Sequence, residues 1–233
     1  MSLDVVTTAL CRPEVLEMTY QSFFDGWAIK DLPNLRIILN IDPLGEGDPS
    51  ECVAIARRYS DQVVYRIASR SNFAEAVNWC RGLIESPYYL WLEDDWFLAK
   101  RFCYESLLAE LQAAEKSQIV LPMGKPRLYP SSYSFRPHVG VSCQIKSVPT
   151  VPIDQNPEKW TAQELGPGVS IDYPLNRTVV DLGRKWAKAR GFRKIDKDSW
   201  YEPRNNQIVG QMEYGFLKAR VRAALLLRKC LSV

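Results

Sequence analysis

Between residues 4 and 117 short apolar, often β-branched runs alternate with stretches whose apolar residues recur at helical spacing. This alternation restricts the fold more than any other feature of the chain. DVVTTAL (4–10), NLRIILNID (34–42), QVVYRIA (62–68) and YYLWLEDD (88–95) predict four strands. RPEVLEMTYQSFFDGW (12–27), SECVAIARRYS (50–60, with Ser50 as its cap), NFAEAVNWCRGLIES (72–86) and KRFCYESLLAELQAAEKS (100–117) predict the helices around them. Strands that alternate with helices imply right-handed crossovers and an α/β fold with a mainly parallel, Rossmann-like central sheet flanked by helices. Ligands of such sheets bind past the carboxyl ends of the strands, a rim that here holds Thr7 to Arg12, Asp42 and the acids Glu93, Asp94 and Asp95.

The rhythm breaks after QIVLPMGKPR. Eight prolines between 126 and 174 forbid long regular elements there, so ordered loops and short strands laid across the sheet's edge are expected, shaping a second substrate pocket. NRTVVDLGRKWAKARGF (176–192) and GQMEYGFLKARVRAALLLRKCL (210–231) have helical patterns. In the last of these Lys218, Arg220, Arg222, Arg228 and Lys229 surround an Ala/Leu face, which can pack on the domain or a partner subunit, or rest on an anionic membrane. The 233 residues are 46% apolar, enough for a sizeable core in one domain, and 30 basic against 27 acidic residues give no reason to expect a nucleic acid partner. Six scattered cysteines with no C-x-x-C and a single histidine indicate neither a zinc site nor a disulfide framework. No run is long and apolar enough to span a bilayer, and a cytoplasmic location is expected.

Three adjacent carboxylates at the end of a buried strand repel one another, and dehydrating them costs several kcal/mol without a compensating cation or strong donors. A divalent ion is one compensation; hard oxygen ligands suit Mg2+ or Mn2+, which also bind nucleotide phosphates. Strand alternation puts Glu93 and Asp95 on one face and Asp94 on the other. Alternatively, the acids belong to a solvated turn that caps the next helix.

VVTTALCRPEVLEMTYQSFF, LRIILNID and SNFAEAVNWCRGLIESPYYLWLEDDWFL together resemble the nucleotide-binding half of family-2-like glycosyltransferases of the GT-A fold. The resemblance covers about the first 100 residues. It implies residues 1–125 as a nucleotide-sugar-binding half and 126–233 as an acceptor-side region with C-terminal helices, in the same domain. It also implies a UDP- or GDP-sugar donor, with Thr7, Thr8 and Ala9 beside the nucleoside, Arg12 near the phosphates or base, and Asp42 on the base edge. Asn72, more than Asn78, would contact the donor. Glu93 and Asp95 fill the acidic D-x-D positions flanking Asp94: Glu93 toward the ribose or a metal-bound water, Asp95 toward metal and diphosphate. The first of these is Glu rather than Asp, and no DDGS run follows the second strand. Read without the resemblance, Thr7 and Thr8 are strand residues, Asp42 a turn former before Pro43, and Asn72 a helix cap.

The resemblance further implies inversion, which requires a separate carboxylate base on the acceptor side, and a hydroxyl acceptor on a glycan or lipid carrier. Glu164, before a Gly-Pro-Gly loop, is the favoured base, with Glu158 as alternative and Asp172 behind them. His138 and Arg136 are candidate acceptor contacts, His138 also a candidate metal ligand. Trp160 is the favoured sugar-stacking face among Trp91, Trp96, Trp160 and Trp200. Competing functions are a nucleotidyltransferase, which would want a glycine-rich phosphate loop that TTALCRPE lacks, and a non-catalytic nucleotide or sugar binding module.

Overall fold

The computed structural model describes residues 2–25, 29, 34–127, 129, 131–194, 201–203 and 207–231. Gly26, Trp27, Pro130, Trp200 and the Lys229 side chain lie outside what it describes. In chain order the elements are β1 (Leu3–Cys11), α1 (Pro13–Phe24), β2 (Leu35–Gly45), α2 (Pro49–Arg57), β3 (Gln62–Ile67), α3 (Phe73–Gly82), β4 (Tyr88–Trp91) and β5 (Trp96–Leu98). Then follow α4 (Tyr104–Ala113), β6 (Gln118–Val120), β7 (His138–Val141), α5 (Ser142–Ser147), α6 (Pro157–Leu165), β8 (Ser170–Asp172), β9 (Val179–Asp181), α7 (Gly183–Ala189), β10 (Phe192–Lys194), β11 (Tyr201–Pro203) and α8 (Gln207–Leu231).

Seven strands form one sheet in the order β3-β2-β1-β4-β7-β6-β8. The first four are mutually parallel, β7 runs antiparallel to both neighbours, and β8 is parallel to β6. The mainly parallel α/β sheet is therefore present. The proline-rich region does more than cross the edge, because β7 enters the middle of the sheet between β4 and β6. Gly140 lets it in: a Cβ there would stand 2.5 Å from the ring and hydroxyl of Tyr89.

Other local expectations shift for identifiable reasons. Asp48, not Ser50, caps α2, its carboxylate accepting from the Ser50 amide at 2.8 Å, with Pro49 in the first turn. β2 continues through Gly45, which pairs with Cys11 after a register shift. The 176–192 run is helical only from Gly183 to Ala189, since the β-branched pair before it joins β9 to β5. β4 ends before the acids, but the backbone still follows β1, Leu92 and Asp94 donating their amides to the Val6 and Thr8 carbonyls at 2.8 and 3.3 Å.

Both faces of the sheet are covered, as strands buried on two sides require. Val5, Ile37 and Leu39 pack with Leu16, Tyr20 and Phe24 on one face, whereas Val6, Ile38 and Trp91 meet Val77, Cys80 and Phe135 on the other. Each such large buried side chain contributes about 1.5–3 kcal/mol over its exposed state. α7 and α8 form a third apolar cluster against α1.

Candidate active site

A cleft of about 540 Å³ opens at the carboxyl ends of β1, β2 and β4. Its walls include Thr8, Ala9, Arg12, Asp42, Asn72 and all three acids, so the rim residues singled out in the sequence meet in space. Thr7 is the exception. It is fully buried, one residue further from the strand's carboxyl end than the cleft-lining Thr8, and its hydroxyl accepts a 2.8 Å hydrogen bond from Tyr20 of α1. The Thr8 hydroxyl is buried at the wall and has no partner among the described residues.

The acid triplet has a cation of its own. Pro13 starts α1 and leaves Arg12 in the turn just before it, from which the guanidinium reaches Asp94 with two hydrogen bonds, Nε to Oδ2 at 2.9 Å and Nη2 to Oδ1 at 2.6 Å. The same Nη2 lies 3.2 Å from Asp95 Oδ2. Arg12 thus supplies strong donors and one positive charge to the cluster from within the chain, so a divalent ion is not its sole compensation. The face assignment changes too: Asp94 and Asp95 share one guanidinium because the strand has ended. Burial pushes the Asp94 carboxyl up, against the pull of Arg12. Trp186 of α7 lies under the guanidinium at 5.0 Å, and Gly183 gives Asp95 room that a Cβ would fill.

Glu93 accepts from the Trp96 indole at 3.0 Å on the cleft wall, and Asp95 keeps 18% of its side chain exposed. Among the described residues no three His, Cys, Asp or Glu side chains converge into a metal cage. Two cleft carboxylates without a cage nonetheless fit the way Mg2+ or Mn2+ is held when phosphates supply further ligands.

Asp42 sits beyond the Ile41 strand core and accepts from Asn40 at 2.8 Å and Ser71 at 3.0 Å, while Arg66 donates to Asn40 at 2.8 Å. Burial raises the Asp42 carboxyl above its usual range, opposed by these donors. Asn72 caps α3 through the Glu75 amide and also donates to the Ile153 carbonyl at 3.0 Å. The cap reading holds, and so does the place on the cleft wall. Asn78 lies off the cleft, exchanging hydrogen bonds with the Val151 backbone, and Arg81 donates to the Pro149 carbonyl at 3.1 Å. Asn72, the cap of α3, and the α3 side chains Asn78 and Arg81 thereby hold 149–153 as a strap that reaches the cleft wall at Ile153.

Of the two carboxylates put forward as a base, only Glu158 borders this cleft. Glu158, in the first turn of α6, lines the cleft and accepts from the Ser134 hydroxyl at 2.7 Å and the Phe135 amide at 3.3 Å. Glu164 is exposed and outside the cleft lining: six residues on, it has turned about 240° around the helix. Asp172 is taken by Arg127, away from the cleft. Arg136 lines the cleft, but His138 does not. It is fully buried, bonded to the Tyr133 and Tyr89 hydroxyls at 3.1 and 3.3 Å, and burial pushes it down to about 3, so it is neither metal ligand nor acceptor contact. Trp160 packs half-buried against the core on the α3 side, and Trp91 is fully buried, so neither offers a stacking face; Trp96 alone of the described three borders the cleft. Asp154, Asp181 and Arg184 also line it, unforeseen because each belongs to a loop or short element with no periodic signal.

No protein-family model matches the sequence, and no curated protein matches it. Solved structures do. S. aureus TarS 1-349 in complex with UDP superposes with a TM-score of 0.54 at 11% identity, over 77% of this chain and 60% of that one. The mannosyltransferase PcManGT from Pyrobaculum calidifontis, in complex with GDP-Man and Mn2+, gives 0.57 at 12% identity, over 81% and 60%. The fold is GT-A-like. HddC from Yersinia pseudotuberculosis shares it with a TM-score of 0.53 at 12% identity, over 78% of this chain and 94% of that one. This GT-A-like chain spans 60% or less of the TarS chains it matches over 77% of its own length.

Proposed function

We propose that the protein is a glycosyltransferase that moves a sugar from a nucleotide-sugar donor to a hydroxyl acceptor with inversion. The observation that carries this reading is the convergence of Asp42, Asn72, Thr8, Arg12 and the Asp94–Asp95 pair on one cleft at the strand carboxyl ends. Further support comes from neighbours of the same fold that hold UDP, UDP-GlcNAc, or GDP-Man with Mn2+.

In this reading Asp42 and Asn72 receive the base and ribose, and the buried Thr8 hydroxyl gains a partner from the nucleoside. Arg12 keeps Asp94 ionised and the Asp95 carboxylate aimed into the cleft. Asp95, with Glu93, would hold Mn2+ or Mg2+, which when bound neutralises charge on the departing diphosphate. Glu158 takes the acceptor proton from across the cleft, oriented by Ser134 and the Phe135 amide. Arg136 borders the acceptor.

Thermal shift with UDP, GDP and their sugars, in Mn2+ and in EDTA, tests the donor site; one nucleotide should stabilise the protein, and more so with metal. Asp95→Asn should lose the metal-dependent part and turnover. Glu158→Gln should keep nucleotide binding and lose turnover by about 100-fold or more. If no nucleotide stabilises the protein, the proposal fails.

A further inference from the structure

The 25-residue helix α8 has two apolar faces. Tyr214, Leu217, Val221 and Leu225 are buried against α1 and α7. On the other side Met212, Phe216, Leu226 and Leu227 are 61, 69, 64 and 63% exposed, with the exposed Ala219 and Ala223 between them. At 3.6 residues per turn these six fall in a stripe about 100° wide and about 22 Å long. Arg220 borders it on one side and Arg222 on the other, both exposed.

Charge decides what such a stripe can meet. α8 contains one acid, Glu213, and its carboxylate is held by Lys188 at 2.8 Å; Glu14 of α1 lies 2.6 Å from Lys218 and, more loosely, 3.7 Å from Arg222, whose side chain stays mostly exposed. A second copy packed stripe to stripe would bring Arg220 and Arg222 against their counterparts with no α8 carboxylate to receive them. An anionic lipid surface satisfies both features at once, taking the apolar side chains into the acyl boundary and the guanidinium groups onto phosphates. Among the described residues no helix is long and apolar enough to cross a membrane. Lying on one is the mode this helix fits.

We propose that α8 seats the protein on an anionic bilayer surface, with Met212, Phe216, Leu226 and Leu227 as the inserted face and Arg220 and Arg222 as the headgroup contacts. Docking there is independent of the transfer chemistry. The buried face of the same helix is joined to the cleft wall: Arg190 stacks on both Tyr214 of α8 and Trp186, and Trp186 lies under Arg12.

The test is co-sedimentation of the full chain with vesicles of phosphatidylcholine alone or mixed with phosphatidylglycerol. Binding to the anionic vesicles should exceed binding to the neutral ones on the order of tenfold to thirtyfold, from two arginines near the surface, and should fall as salt is raised. The Phe216→Glu, Leu227→Glu double variant, altered only at exposed positions and checked for an unchanged circular dichroism spectrum, should not sediment. Arg220→Gln with Arg222→Gln should lose the preference for anionic vesicles. Equal partition into both vesicles, no partition into either, or a dimer in sedimentation velocity that the double glutamate variant dissolves would each overturn the proposal.

Discussion

Arg12 and Asp94 are 82 residues apart and both almost completely buried. A carboxylate in that position is tolerated because two guanidinium N–H groups meet its two oxygens, and removing one partner of such a pair strands the other. Arg12→Gln should therefore lower unfolding free energy by about 3–5 kcal/mol, measured by urea denaturation. Asp95→Asn, at a partly exposed carboxylate, should leave the same measurement nearly unchanged. A loss for Asp95→Asn equal to that for Arg12→Gln would mean the two acids are held as a single unit. The acids themselves were legible because three consecutive carboxylates after an apolar run are a local anomaly. Their partner was not, since nothing in the stretch around Arg12 encodes which acid its guanidinium will reach.

The strand and helix alternation up to residue 117 was legible for the same reason: period and capping are written within a dozen residues. Strand order is not. β7 inserts antiparallel beside β4, a pairing 47 to 53 residues distant, and short apolar runs such as WFL after the acids do not announce that they will pair with Val179–Asp181. Gly140 is the local mark of that insertion. Gly140→Ala should destabilise the protein by about 1–3 kcal/mol in thermal or urea unfolding, because the new methyl meets the Tyr89 ring, which has no free space into which to retreat. Wild-type stability in that variant would show that β7 can shift away from β4.

Acid stability belongs to the whole molecule. His138, the single histidine, is buried neutral and pushed down to about 3, whereas an unfolded histidine titrates near 6.5. The unfolded chain binds a proton that the folded one refuses, so this contribution falls as pH drops below about 6.5, by up to about 1.4 kcal/mol per unit. Asp4 adds to the loss further down. Burial would raise it, but Arg36 and the Ser86 and Glu85 amides hold it below the usual carboxylate range, so its stabilisation is present above about pH 3.9 and lost below. Buried Asp42 and Asp94, both raised, work in the opposite direction. Comparing wild type with His138→Gln isolates the histidine: the stability advantage of the wild type should shrink between about pH 6.5 and pH 5 in urea titrations. A gap that stays constant with pH would mean the imidazole is protonated in the folded protein.

The strap at 149–153 has its own consequence. The carbonyls of Pro149, Val151 and Ile153 are each gripped by a different side chain of α3 or its cap, so alternate peptide groups along the segment are fastened. A segment so stitched behaves as masonry and not as a door. Whatever enters the cleft meets this stretch of its wall, ending at Ile153, already fastened in place.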